Sequence, residues 1–287
     1  MKVGVIGTGL MGEAMVERLL AQNLAVMAYN RTKSKLTSLQ KAGAEVADTP
    51  REAIKGSDCT ILMLADAEAI AQVIFSEETV TSLRDRTIIQ MGTIAPAQSR
   101  DIQAKVVAAG GNYLEAPVLG SIPQVKSGEL LVMVGASESQ YQQWLQLLQH
   151  FGEEPMLIGS VGKAAALKLA LNQLIAALTT GFALSLGLIQ REEVDVEQFM
   201  QILRSSALYA PTFDKKLSRM EARNFADPNF PTKHLLKDIN LFLEQAQLDN
   251  LDITGLEGVQ QIVTKAMQMG LQEEDYSSVY NAIAPQN

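Results

Sequence analysis

Three glycines in the segment GTGLMG, at Gly7, Gly9 and Gly12, follow an apolar run and open an amphipathic one. That context lets a chain hold a dinucleotide pyrophosphate: Gly7 permits the tight turn, Gly9 lets backbone approach the phosphates, and Gly12 lets helix pack on strand. Leu10 and Met11 lie between them, and the helix N–H groups that follow face the phosphates. A second apolar run ends in AYNRT, where a site preferring NAD carries an acidic residue for the ribose hydroxyl. This chain has Asn30 there, followed by Arg31 and Thr32. No carboxylate repels a 2′-phosphate, and the planar Arg31 guanidinium can pair with one, so NADPH is favoured over NADH.

A second group lies in AAALKLALN, positions 164 to 172, where Lys168 stands alone among apolar residues and Asn172 follows four positions later. On a helix that spacing puts both side chains on one face. A lysine in such a helix either runs its ammonium out to water or supplies a proton and a positive field to a reacting oxygen. Metal chemistry is not expected: Cys59 is the only cysteine, and the two histidines, His150 and His234, sit in no ligand-like cluster.

The elements that must position these groups come in two blocks. In the first, short β-branched or apolar runs alternate with helical ones, the pattern of a parallel sheet wrapped by helices. Strands are expected at Lys2–Ile6, Ala25–Tyr29, 60–64, Thr87–Gln90, 112–116 and 130–134, and helices at 12–22, 33–42 and after Thr49, with Pro50 in the first turn. The stretch LMLADAEAI, 62–70, reads as a strand ending in a loop. From about Gly162 nearly everything reads as helix, at 163–190, 196–205, Thr232–Leu248 and 255–269. The expected class is α/β with a following all-α domain, divided at 1–161 and 162–287.

The chain has 287 residues, with 24 Lys+Arg against 32 Asp+Glu and a net charge of −8, which argues against a broad nucleic-acid-binding face. The run from Met1 goes straight into a strand, so no export signal is expected, and a single cysteine fits a reducing cytoplasm. The most apolar stretch, 164–188, is broken by Lys168, Asn172, Gln173, Thr179, Thr180 and Ser185. It reads as a buried helix of a soluble protein, packed on other helices or on a second subunit, with no membrane role.

Five stretches, GVIGTGLMGEAM, MGTIAP, EAPVLGS, GKAAALKLALNQ and FPTKHLLKDINL, together resemble the β-hydroxyacid dehydrogenase family. That family includes 3-hydroxyisobutyrate dehydrogenase, tartronate semialdehyde reductase and the glyoxylate/succinic semialdehyde reductases. The likeness is greatest to the last branch, on QMGTIAP and on Phe230-Pro231 followed by Lys233-His234 and Lys237-Asp238. It implies a Rossmann domain, a doubly wound sheet, joined by a long interdomain helix to an all-α domain that assembles into a dimer or tetramer. It implies NADPH-dependent reduction of a small aldehyde acid, glyoxylate or succinic semialdehyde, with Lys168 as the catalytic proton donor. Asn172 would hold that lysine or the substrate, Lys237 would meet the nicotinamide end, and Leu64 and Thr93 would contact the cofactor. Phe230 would cover the substrate, and Asp238 would orient a lysine.

The chain departs from the family at EAPVLGS, where Leu119 replaces the hydroxyl that most relatives offer to a substrate carboxylate. Gly120 and Ser121 remain, and their backbone N–H groups and the Ser121 hydroxyl are the expected substitutes. Leu119 is expected to weaken short acids or favour a bulkier carbonyl, and it keeps an imine reductase in view, although those enzymes usually lack the lysine. A further reading is another carbonyl reductase, or an NADP-binding interaction module without turnover. Retention of Lys168, Asn172 and Lys237 together opposes the module.

Overall fold

KVGVI forms strand β1 (Lys2–Ile6), and its last four residues are buried, as a central parallel strand covered on both faces requires. Val3 and Val5 enter one core with Met15, Leu19 and Phe151, whereas Ile6 enters another with Ile54, Ile70 and Tyr113, the two-residue alternation of a strand. The structure, a computed structural model, describes residues 1–286. Eight more strands follow: β2 (Ala25–Tyr29), β3 (Glu45–Val46), β4 (Cys59–Leu62), β5 (Thr87–Gln90), β6 (Asn112–Glu115), β7 (Val118–Leu119), β8 (Leu131–Gly135) and β9 (Met156–Gly159).

The sheet order is β3-β2-β1-β4-β5-β6-β8-β7, with β9 on β8. The first six strands are parallel, so the loops after β1, β2, β4, β5 and β6 emerge along one edge. Strand order reverses between β1 and β4, the switch point where doubly wound sheets take ligands. The parallel expectation fails at the other side: β8 runs antiparallel to both β6 and β7. The connection from β7 to β8 contains only the six-residue helix Ile122–Ser127, short for a parallel crossover.

Several local expectations change for capping reasons. The strand expected to run past Leu62 stops there, because Asp66 accepts from Ala69 N–H at 2.7 Å and starts the helix Ala67–Ile74. The stretch 33–42 divides into a 3₁₀ turn, Lys33–Leu36, and a short helix, Thr37–Lys41. Thr49 caps the helix Pro50–Lys55 through Glu52 N–H at 3.2 Å.

The chain clusters into two compact units, Met1–Lys168 and Leu169–Asn287. The second is built from the rest of the long helix Lys163–Arg191 and from Val196–Arg204, Pro211–Ala222, Thr232–Leu248, Thr254–Gln268 and Val279–Ile283. One of its cores gathers Ala176, Leu235, Ile239 and Val263; another gathers Met200, Met220 and the stacked rings of Phe182 and Phe213, 4.8 Å apart. The long helix is apolar and long enough to cross a membrane, and only 44 % of its most apolar window is buried. The expected burial is therefore incomplete: Leu174, Leu178, Leu184 and Leu188 are exposed.

Candidate active site

Gly7 adopts φ +96°, and any side chain there would strike the Met63 carbonyl, so the turn itself needs glycine. Gly12 is constrained differently: a Cβ would run into the Gly7 carbonyl across the strand–helix contact. Gly9 has nothing within 4 Å of where its Cβ would lie. The protein itself does not need glycine at 9, whereas a phosphate brought against the backbone does. The helix Leu10–Ala21 also starts with no side-chain cap, leaving first-turn N–H groups for an anion. These features fit a dinucleotide cofactor. Leu10 is exposed and Met11 half-buried at the same helix end.

Asn30 serves the turn as well as the strand end. Its Nδ2 donates to Thr8 Oγ1 at 2.8 Å and its Oδ1 accepts from Thr32 N–H at 2.9 Å, which ties the loop after β1 to the loop after β2. Arg31 and Thr32 are exposed beyond it. After β4, half-buried Leu64 packs where a Gly7 side chain would go. After β5, Gln90 brackets the turn before Thr93, accepting from Gly92 N–H at 2.8 Å and donating to the Gly92 carbonyl at 2.9 Å. Gln90 was not anticipated, because a glutamine ending a buried strand shows its purpose only once the turn is seen.

Leu119 ends β7 and pairs with Leu131. Gly120 follows at φ +135°, where a side chain would also press on Leu130 and Gln124. Ser121 departs from the expectation placed on it: its N–H and its hydroxyl both donate to Gln124 Oε1, at 3.0 and 2.8 Å. The cause is local, since Ser121 starts the helix Ile122–Ser127 and Gln124 closes the cap. A carboxylate seeking those donors must first displace Gln124.

Lys168 is 8 % exposed, so almost all of this residue is withdrawn from water. One turn later on the same helix face, Asn172 is 2 % exposed and donates from Nδ2 to Asp238 Oδ2 at 2.6 Å. The other carboxylate oxygen of Asp238 faces Lys237 Nζ at 3.0 Å. Asn172 Oδ1 is buried and has no hydrogen-bond partner among the described residues, which leaves an acceptor to be satisfied. The structure thus joins buried Asn172 and Asp238 and half-buried Lys237 into one polar group.

Phe230 lies just before the helix Thr232–Leu248, half-buried between His234, whose ring stacks at 6.3 Å, and Tyr276, edge-on at 5.8 Å. This loop is anchored: Tyr276 N–H donates to the Phe230 carbonyl at 3.1 Å, and Thr232 Oγ1 to the Glu274 carbonyl at 3.0 Å. Asp275, fully buried, accepts from Lys216 Nζ at 2.8 Å, and that ammonium sits 4.2 Å from the Tyr276 ring. Burial holds the His234 imidazole below its ordinary range, with Lys237 and Lys233 adding to the shift.

Two family models cover almost the whole chain. The NAD binding domain of 6-phosphogluconate dehydrogenase matches residues 2–162, and the NAD-binding domain of NADP-dependent 3-hydroxyisobutyrate dehydrogenase matches residues 162–283. Fold and matches define a nicotinamide-dependent oxidoreductase of the hydroxyacid dehydrogenase kind. Glyoxylate/succinic semialdehyde reductase 1 of Arabidopsis thaliana is 29 % identical over 285 residues, 99 % of this chain and 98 % of the relative. A 3-hydroxyisobutyrate dehydrogenase structure from Salmonella typhimurium aligns with a TM-score of 0.88 at 21 % identity, over 98 % of this chain and 99 % of the other. An imine reductase from Myxococcus stipitatus, in complex with NADP+, aligns at 0.70 and 21 % identity, over 99 % and 100 %. At such identities the structural likeness is one of fold. The chain belongs to the β-hydroxyacid dehydrogenase family, of the 3-hydroxyisobutyrate dehydrogenase-like type.

Proposed function

We propose that the protein reduces a small aldehyde acid, glyoxylate or succinic semialdehyde, with NADPH as cofactor and Lys168 as proton donor. The observation that carries this reading is a buried lysine one helical turn from a buried asparagine that keeps an unsatisfied acceptor. NADPH, when bound, supplies the hydride that reduces the carbonyl carbon. Lys168 Nζ gives a proton to the carbonyl oxygen as negative charge develops there, and its positive field stabilises that charge. Asn172 Oδ1 accepts from an ammonium or from the hydroxyl of the product, while its Nδ2 stays fixed by Asp238. Lys237 contributes to the nicotinamide end, Phe230 covers the substrate, and Arg31 holds the 2′-phosphate.

The test is NADPH consumption against a panel of carbonyl acids, repeated with NADH. Turnover of glyoxylate or succinic semialdehyde with NADPH preferred supports the reading. Tight NADPH binding with no turnover across the panel sinks it and leaves an NADP-binding module. A second reading, an imine or bulkier carbonyl substrate, draws on Leu119 and on the engagement of Ser121 with Gln124. Turnover of cyclic imines exceeding that of the aldehyde acids would select it.

The homo-oligomer belongs to the same proposal. Leu174, Leu178 and Leu188 are exposed at spacings that keep them along one stripe of the long helix. A second copy of the chain covers that stripe, and sedimentation of Leu178→Lys against the wild type tests it.

A further inference from the structure

Three N–H groups at the start of the long helix converge on one oxygen. Glu115, the last residue of β6 and 1 % exposed, accepts on Oε1 from Gly162, Ala164 and Ala165 at 2.7, 3.0 and 3.1 Å. Its Oε2 accepts from the Ser99 hydroxyl, and Ser99 Oγ lies 2.8 Å from Tyr113 Oη. Across the sheet, Gly135 pairs with Glu115, and a Cβ there would collide with the carboxylate. All of these residues, and Lys168 with them, belong to the first unit.

Three donors on one oxygen is the geometry of a bound anion, and a carboxylate at this helix end complements the positive pole of the dipole. Burial pushes the carboxyl above the usual carboxylate range, against the Ser99 hydroxyl and the three backbone donors, which act to lower it. The contact also sets where the helix can go. In an α-helix the N–H of Lys168 donates to the carbonyl of Ala164, so the peptide units that Glu115 grips are those from which the lysine hangs. Glu115 in turn is fixed by the β5–β6 ladder and by Ser99.

We propose that Glu115 is a positioning residue for catalysis: its carboxylate clamps the first turn of the long helix and fixes Lys168 relative to the sheet edge that carries the cofactor loops. The inference rests on the reading of Lys168 as proton donor. Misplacing a reacting group by about 1 Å can cost about 100-fold in rate. A loosened clamp therefore lowers turnover while leaving the glycine loop untouched.

The test is Glu115→Gln, which keeps the shape and removes the charge, with Glu115→Asp and Ser99→Ala beside it and Lys168→Ala as reference. Expected for Glu115→Gln is a kcat lower by about tenfold to 100-fold, counted per NADPH-binding site, with KM and NADPH Kd within about twofold of the wild type. The solvent deuterium isotope effect on kcat is expected to rise, since proton delivery becomes slower, and Glu115→Asp should recover part of the loss. A purely structural role would reduce the number of binding sites and leave kcat per site and the isotope effect unchanged, which overturns the proposal. If Glu115→Gln does not fold, Ser99→Ala carries the same readouts: lower kcat with a larger isotope effect supports the clamp, and wild-type values overturn it. Lys168→Ala separates the two levels. An inactive Lys168→Ala beside a fully active Glu115→Gln removes the clamp alone, whereas an active Lys168→Ala removes the reading beneath it.

Discussion

Asn172 Nδ2 and Asp238 Oδ2 meet at 2.6 Å across 66 residues of sequence, and both side chains are almost wholly buried. Asp238 is paired on its other oxygen with Lys237 at 3.0 Å. Removing the carboxylate leaves the buried Asn172 Nδ2 donor unmatched, so Asp238→Ala is expected to cost about 1–3 kcal/mol in a urea melt. Asp238→Asn still offers an acceptor to Asn172 and should cost clearly less. Equal losses for the two variants would mean that the carboxylate oxygen bonded to Asn172 does not contribute as described.

Cofactor choice provides a second check. A charge-assisted hydrogen bond contributes about 1.5–3 kcal/mol, so Arg31→Ala should reduce the NADPH-over-NADH ratio in kcat/KM about 10- to 100-fold. Asn30→Asp should lower it further, because it removes the donor to Thr8 and sets a carboxylate near the 2′-phosphate. Steady-state kinetics with both cofactors reads the outcome, and an unchanged ratio in Arg31→Ala assigns the arginine to solvent.

Substrate choice turns on Leu119 and Gln124 together. Because Ser121 already donates twice to Gln124, Leu119→Ser alone supplies one hydroxyl, while Leu119→Ser with Gln124→Ala also frees the Ser121 donors. The double variant is expected to improve kcat/KM for glyoxylate by about tenfold, more than either single change, at about one hydrogen bond's contribution. No gain in the double variant over the wild type would show that the loop does not meet the carboxylate.

His234 gives a pH dependence with a definite sign. Its folded pKa is depressed below the ordinary 6.5 by burial, then by Lys237 and Lys233. The unfolded chain therefore takes up the proton first as pH falls. This group's contribution to stability is fully present above its ordinary pKa and is lost as pH drops through the folded value. Urea midpoints measured from about pH 7.5 down to about pH 5 should fall less steeply in His234→Gln than in the wild type. Parallel curves would show that the imidazole is as easily protonated folded as unfolded.

Local chemistry made part of this molecule legible in its sequence. The glycine triplet, the ends of β1, β2 and β5, and the helix Thr232–Leu248 lie where residue spacing places them, because each is specified by neighbours within one turn or one strand. The two-residue strands β3 and β7 carry too few side chains to show a period, and β8 turns antiparallel through a connection whose length alone does not fix direction. The helix Pro211–Ala222 has only sparse apolar positions. In the candidate site, the shared helix face of Lys168 and Asn172 could be read from their i,i+4 spacing, whereas the roles proposed for them come from the family resemblance. Glu115 could not, since its partners are 47 to 50 residues away and a glutamate ending a strand resembles a solvated one. Gln124 was hidden for the opposite reason: its partner is only three residues away, and the cap competes with the expected ligand for the same two donors.

The most direct measurement is single-turnover reduction of succinic semialdehyde by NADPH-loaded protein, wild type against Lys168→Ala, with NADPH affinity measured in parallel. A positioned general acid contributes about 100- to 10,000-fold. The expected result is a rate loss in that range with the NADPH Kd within about twofold of wild type. A Lys168→Ala protein that reduces the aldehyde within about threefold of the wild-type rate would contradict the assignment of the proton to this lysine.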